Sequence, residues 1–272
     1  MNQNKRRYRR VLTIAGSDSG GGAGIQADIK TISANGCYAM SVITALTAQN
    51  TVRVSAIHPV PVAFVRQQLE AVLSDIGCDA VKIGMLFSPE LIRMVAEQLV
   101  SYGINNIVLD PVMVAQSGDR LIKEDAVAAL KELLIPIAEL ITPNLPEASV
   151  LLGREIGDYQ QLEDAAVELA GLGSPNVLIK GGHLQGAVSD DLLYLGKSGE
   201  TRSFPVKRIE TENNHGTGCT LSSAIASGLA KGLTVADSVG AAKEYITGAI
   251  ASGAGYQIGK GHGPVDHFYR FF

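Results

Sequence analysis

Short apolar runs alternate along this chain with stretches of helical period. Val11 to Gly16 is apolar and ends in the polar, glycine-rich segment Ser17-Asp18-Ser19-Gly20-Gly21-Gly22-Ala23-Gly24, after which Ile25, Ile29 and Ile32 mark a helix. Tyr38 to Leu46, rich in β-formers and small residues, predicts one strand that exits at Thr47-Ala48-Gln49-Asn50-Thr51. Arg53 to Val60 alternates as a strand, Val62 to Leu73 and Pro89 to Leu99 read as helices, and Ala80 to Ile83 and Ile107 to Leu109 as buried strands. A helix around Glu124 to Leu134 follows, then strands at Leu140 to Thr142 and Val177 to Lys180, and a hairpin from Asp191 to Leu195 and Thr201 to Val206. Leu221, Ile225 and Leu229 recur at i, i+4 and i+8 in a further helix whose other faces stay small, with Ser222, Ser223, Ala224, Ala226 and Ser227. The order predicts an α/β fold with a mainly parallel central sheet covered by helices on both faces, a single domain over residues 1–272 with residues 1–9 flexible. Ligands of such a sheet bind at the strand C-termini.

Composition narrows the function classes. With 272 residues, 46% of them hydrophobic and 18% charged, the chain buries one large core. The net charge is −4 and the basic residues are dispersed apart from Lys5-Arg6-Arg7 and Arg9-Arg10, which argues against nucleic acid as a partner. The apolar run after that basic start is shorter than a signal-peptide core, and no run of 18 apolar residues follows, so the expectation is a cytoplasmic protein without membrane contact. Cys37, Cys78 and Cys219 are widely spaced and predict free thiols.

Candidate chemistry concentrates at turns. In Asn213-Asn214-His215-Gly216-Thr217-Gly218-Cys219-Thr220 the two glycines let an anion approach the unpaired N–H groups of the helix that follows. The helix dipole there predicts a Cys219 thiol pKa below its free value of about 8.5. The other reading is packing alone, with Cys219 a small buried hydrophobe. The loop after Gly16 lacks the Gly-Lys-Ser/Thr of a phosphate loop and the glycine spacing of a dinucleotide fingerprint. Asp28 falls beside Ile25 and Ile32 at the margin of its helix's buried face, as a rim residue or a ligand contact. Gln49 offers a donor and an acceptor side by side, suited to a ring edge that carries one of each, or is a solvated loop residue. Asp110, at a strand end, could hold a metal or orient phosphate. Asn144 and Glu147, three apart at a helix start, form a cap or a paired site, and Lys180 could reach a phosphate as a point charge.

The turn Asn213 to Thr220 resembles the signature of the ribokinase-like kinases, with cysteine where the wider superfamily commonly has aspartate as base. His215-Gly216-Thr217-Gly218-Cys219-Thr220, Ala15-Gly16-Ser17-Asp18, Gly21 to Asp28, Ala48-Gln49-Asn50 and Gly259 to Val265 are similar to the hydroxymethylpyrimidine/phosphomethylpyrimidine kinases, over roughly Val11 to Phe268. Asn214 departs from the threonine usual there. The resemblance implies a ribokinase-like fold, ATP and Mg²⁺ as cofactors, and a homodimer. It implies that the Gly16 backbone, Asp28 and Gln49 contact the pyrimidine, with Met85 and Met113 near the pocket wall. Asp110, Asn144, Lys180 and Thr217 would hold ATP, Glu147 and Asp110 the metal, and Cys219, Gly216 and Gly218 would be catalytic. The activity implied is phosphorylation of 4-amino-5-hydroxymethyl-2-methylpyrimidine, and of its monophosphate to the diphosphate, in thiamine diphosphate biosynthesis; the alternative is a pyridoxal/pyridoxine kinase. Two other classes compete. A cysteine hydrolase would pair His215 with Cys219 but leave Asn144, Glu147 and Lys180 idle, and a non-catalytic pyrimidine sensor would not need its phosphate-handling motifs.

Overall fold

The structure, a computed structural model, describes residues 7–113, 124–157, 161–183 and 188–272. Residues 1–6 of the segment expected to be flexible lie outside it. The strands are β1 (Arg10–Ala15), β2 (Tyr38–Ile43), β3 (Ala45–Gln49), β4 (Val54–Pro59), β5 (Ala80–Ile83), β6 (Ile107–Leu109), β7 (Leu140–Ile141), β8 (Asn176–Ile179), β9 (Val188–Leu195) and β10 (Glu200–Lys207). Eight of them form one sheet in the order β10-β9-β8-β7-β6-β5-β1-β2. It is parallel from β2 to β8, and β9 and β10 close it as an antiparallel hairpin.

Side-chain alternation explains the two covered faces. Leu12, Ile14, Val81, Ile83, Ile107, Leu109 and Ile141 point into one apolar layer, while Val11, Ala80, Val108 and Leu140 point into the other. The first is covered by α2 (Val62–Asp75), α3 (Pro89–Ser101), α4 (Glu124–Ala129), α5 (Leu145–Leu152) and α6 (Leu162–Ala170). The second is covered by α1 (Gly24–Ala34), α7 (Thr217–Ala230) and α8 (Val235–Gly253). The small residues of α7 are all buried from Thr220 to Ala230, as expected of a helix pressed between α1, α8 and the sheet. The expected mainly parallel sheet with helices on both faces is what the chain forms, and the helix expected through Leu134 turns from α4 into a π-helical turn at Leu130–Leu134.

One expected strand is two. The chain breaks at Thr44, whose hydroxyl donates to the Met85 carbonyl at 3.0 Å, and β3 leaves the sheet to pair with β4 as a separate ribbon. A polar side chain held by a buried hydrogen bond interrupts the apolar run, and composition averaged over nine residues hides it. Gln49 therefore sits on a ribbon beside the sheet and not at the exit of a sheet strand.

Candidate active site

The C-terminal ends of β1, β5, β6, β7 and β8 open into one cavity of about 1010 Å³, roofed by the ribbon and by the hairpin. Gly16, Gln49, Met85, Asp110, Asn144, Glu147, Lys180 and residues 216–219 all line it. The sequence scatters these residues over two hundred positions; the parallel sheet brings Gly16, Met85, Asp110, Asn144 and Lys180 together because each follows a strand that ends at the same edge, while the ribbon adds Gln49 and the start of α7 adds residues 216–219.

The signature turn enters α7 through Gly216, at φ +81°, where a Cβ would drive into the Gly22 carbonyl. The two glycine segments thus touch, which requires glycine at 216 for both dihedral and space. The Thr217 N–H and hydroxyl both turn back to the Asn214 carbonyl, at 3.3 and 2.7 Å. Among the described residues the amides of Gly218 and Cys219 meet no protein acceptor, so the first turn presents two free donors with the positive end of the helix dipole behind them. A Cβ at Gly218 would stand 3.4 Å from Lys180 Nζ and 3.7 Å from Asp110 Oδ2, so the site's charges meet at this turn.

Asp110 is buried, accepting from Lys180 Nζ at 2.8 Å and from Thr142 Oγ1 and Ser222 Oγ, each at 3.3 Å. Burial pushes its carboxyl up, but Lys180 and Lys82 outweigh that and hold it ionised, below the usual range. Asn144 and Glu147 form a reciprocal capping box, each side chain accepting the other's backbone N–H at 2.8 Å. The cap and the site are one structure, because Glu147 Oε2 also lies 3.9 Å from Lys180 Nζ. Burial raises the Glu147 carboxyl to about 7, with Lys180 opposing and Asp110 reinforcing.

Two expectations change. Asp28 does not line the cavity. It is fully buried beneath it, where Lys82 Nζ lies 3.0 and 2.9 Å from its two oxygens and Thr13 and Ser223 donate their hydroxyls. A carboxylate on the buried margin of α1 takes a buried cation as partner instead of a ligand, and that cation was visible as a lysine inside the apolar strand β5. Cys219 is the other. Its thiol is raised to about 11, since burial outweighs the pull of Lys82, and Asp28 and Asp110 add to the rise. Met113 is core, unlike Met85, which lines the wall with its methyl against Gly16.

Residues given no place in the kinase site from the sequence complete it. Asp18 accepts the amides of Gly20, Gly22 and Ala23 at 2.8, 3.0 and 2.8 Å, which is what the glycine loop is for, and His215 Nε2 lies 2.8 Å from its Oδ2. His215 therefore pairs with Asp18 through the ring nitrogen that also approaches Gln49. At the far end, α8 supplies Ile246 and Ile250 and, with Leu221 and Val206, an apolar wall. Beside it Lys243 Nζ lies 2.5 Å from Asp191 Oδ2, and the other Asp191 oxygen accepts the Gly181 N–H. The helical spacing of Val235, Val239, Ala242 and Ile246 was a usable signal for α8.

The chain matches the phosphomethylpyrimidine kinase family over residues 18–266. It is 52% identical over 263 residues to a hydroxymethylpyrimidine/phosphomethylpyrimidine kinase of Rhizobium meliloti, covering 96% of this chain and 98% of the relative. It is 53% identical over 257 residues to the thiamine biosynthesis bifunctional protein ThiED of Geobacter sulfurreducens, covering 94% of this chain but 52% of that longer protein, so it spans about half of it. The fold superposes on an ADP complex of Bacillus subtilis pyridoxal kinase with TM-score 0.90 and 36% identity, covering 98% of this chain and 100% of the other. The cavity thus holds a helix start with two free amides, a buried carboxylate–lysine pair and an apolar wall, and the chain belongs to the phosphomethylpyrimidine kinase family, a family of phosphotransferases.

Proposed function

We propose that the chain transfers the γ-phosphoryl group of ATP to the hydroxymethyl oxygen of 4-amino-5-hydroxymethyl-2-methylpyrimidine, and then a second to the monophosphate, supplying the diphosphate for thiamine diphosphate biosynthesis. The observation that carries this reading is the cavity in which the free amides of Gly218 and Cys219 face Lys180 and Asp110, with Gln49 and Met85 on the adjoining wall.

Phosphoryl transfer through a loose transition state needs alignment and charge neutralisation more than covalent help. The Gly218 and Cys219 amides hold the equatorial oxygens as charge develops, and Lys180 adds a point charge beside them. The apolar wall of Leu221, Ile246 and Ile250 suits the adenine ring, with Thr217 and Asn144 toward the phosphates. The site fits Mg²⁺: Asp110 and Glu147 are two cavity-lining carboxylates that share Lys180 as a neighbour, the oxygen donors that a cation completed by phosphate oxygens and water takes. When bound, Mg²⁺ neutralises phosphate charge there. Gly16 and Gln49 hold the pyrimidine, Gly16 through its backbone and Gln49 through its amide. Cys219 lines the cavity beside the two free helix-start amides, and the acceptor proton leaves either early, to the thiolate form of Cys219, or late, to a phosphate oxygen or water once the oxygen bonds to phosphorus.

Leu46, exposed on the ribbon face opposite the cavity-lining Ile57, supports a homodimer that covers it. No helix among the described residues is long and apolar enough to cross a membrane, and the cytoplasmic location rests on the sequence. The likeness to a pyridoxal kinase supports pyridoxal as a second acceptor. Coupled ATP-consumption assays on the aminopyrimidine alcohol, its monophosphate and pyridoxal test the reading. Turnover of pyridoxal alone would overturn it.

A further inference from the structure

The amide of Gln49 is not free to choose its orientation. One end lies 3.4 Å from His215 Nε2, and the other 3.3 Å from Thr47 Oγ1. Both neighbours are already committed. His215 Nε2 lies 2.8 Å from Asp18 Oδ2, and that carboxylate accepts three backbone amides as well, so it is acceptor-only and the histidine nitrogen carries the proton between them. This holds whether the ring is neutral or charged. Thr47 gives its single hydroxyl proton to the Ser17 carbonyl at 2.8 Å, so toward Gln49 its oxygen can only accept.

With Nε2 toward the histidine, the glutamine would set donor against donor, and with Oε1 toward Thr47 it would set acceptor against acceptor. Turned over, Oε1 shares the His215 proton and Nε2 donates to Thr47, and both contacts are satisfied. Two independent neighbours demand the same orientation. We propose that the Asp18–His215 pair and the Ser17–Thr47 pair lock the Gln49 amide in that one orientation, so that it reads a single donor–acceptor order on the substrate ring. The inference rests on Gln49 being the substrate-facing amide of the proposed function.

The lock matters because of the chemistry of pyrimidine edges. A 4-aminopyrimidine presents an exocyclic N–H donor beside a ring-nitrogen acceptor, whereas a pyrimidin-4-one presents a carbonyl acceptor beside a ring N–H. A glutamine that rotates freely about its last torsion serves either edge equally. A locked one keeps a spare lone pair on Oε1 and a spare N–H on Nε2 in fixed places, and the wrong ring meets like against like. Asp18, His215 and Thr47 are thus positioning residues: they act on specificity through Gln49.

The test compares kcat/KM for the aminopyrimidine alcohol and for its 4-oxo counterpart in the full-length protein, with the oxo compound measured as a competitive inhibitor where turnover is too slow. The wild type should prefer the amino ring by about 10²-fold or more. Thr47→Val and His215→Phe should each cut that preference by about tenfold, chiefly through KM, with KM for ATP unmoved, and Thr47→Ser should restore it. Thr47 lies on the half-exposed ribbon, so its pair of variants carries the test if His215→Phe fails to fold. If Thr47→Val keeps the full preference while Gln49→Ala loses it, Gln49 reads the ring without a lock and the inference falls. If Gln49→Ala itself keeps the preference, the amide does not face the substrate and both the lock and the role assigned to Gln49 fail.

Discussion

Lys82 Nζ lies 3.0 and 2.9 Å from the two carboxylate oxygens of Asp28, and neither side chain is exposed. The pair ties β5 to α1, and Ser223 brings in α7 through the same carboxylate. Burial opposes the lysine's charge, but Asp28 outweighs it and Cys219 and Asp110 add to the effect, so the ammonium stays protonated. Removing one partner strands the other charge in the core. Lys82→Met should cost about 3–5 kcal/mol of stability, and the double variant with Asp28→Asn should recover a large part of it, because no buried charge is then left alone. Urea unfolding of the two variants measures this; equal losses in both would mean that the pair contributes only packing.

With Glu147 as the proposed Mg²⁺ carboxylate, pH and metal binding are linked. Its carboxyl is raised from 4.5 to about 7, first by burial, so the folded protein favours the protonated form. The stabilising contribution is present below the unfolded value and is lost as pH rises through about 7, so the ligand-free protein should lose stability between about pH 5 and 7 on this account. Cation binding runs the other way, because it needs the ionised form. The Mg²⁺ concentration for half-maximal activity should rise by up to about tenfold per unit of pH below 7. Magnesium titrations at pH 6 and pH 8 check this. Glu147→Gln should raise the requirement at both and remove the part of its pH dependence that exceeds protonation of ATP itself.

How much of this was legible in the sequence follows the range of each interaction. Apolar period placed most strands and helices, because burial on one or two faces is written in consecutive side chains. The break at Thr44 and the ribbon beyond it were not, since they depend on one hydroxyl reaching the carbonyl of Met85. In the site, Gly216, Gly218, Asp110 and Lys180 could be picked out because each ends a strand or starts a helix. The pairing of Asp28 with Lys82 could not, because it joins residues 54 positions apart, although a lysine in a fully buried strand announced a missing anion. The shift of Cys219 was read with the wrong sign for a related reason: the dipole is local to its helix, whereas Asp28, Asp110 and the burial come from elsewhere in the chain.

The role proposed for Gln49 separates substrate from nucleotide. Gln49→Ala leaves the polar edge of the pyrimidine unpaired while the phosphate end of the cavity, beyond Cys219, is untouched. The aminopyrimidine KM should rise by the equivalent of roughly 1–3 kcal/mol, with KM for ATP within a factor of about two. Steady-state kinetics with each ligand varied in turn decide it. Equal changes in both constants would give Gln49 a structural role through Thr47 and His215.

The protonation of Cys219 decides how the acceptor loses its proton. With the thiol raised to about 11, only about one molecule in a thousand carries a thiolate at pH 8, and nucleotide phosphates can only raise it further. If that small fraction is the base, kcat should climb about tenfold per pH unit and show no plateau before pH 9; Cys219→Ala should lower it by about 10²–10⁴-fold and abolish the climb. Cys219→Asp, ionised throughout, should then recover part of the rate with a flat profile. If the proton leaves only after phosphorus is engaged, the amides of Gly218 and Cys219 carry the catalysis, and alanine retains both. A Cys219→Ala enzyme with near-normal kcat across pH 6–9 would remove the thiol from the chemistry. Burial raises the barrier for the first route and leaves the second unaffected, so the expected alanine loss lies at the lower end of that range, about 10²-fold, with ATP affinity unchanged. The pH dependence of kcat in the two variants, measured beside wild type at saturating ATP and Mg²⁺, separates the routes.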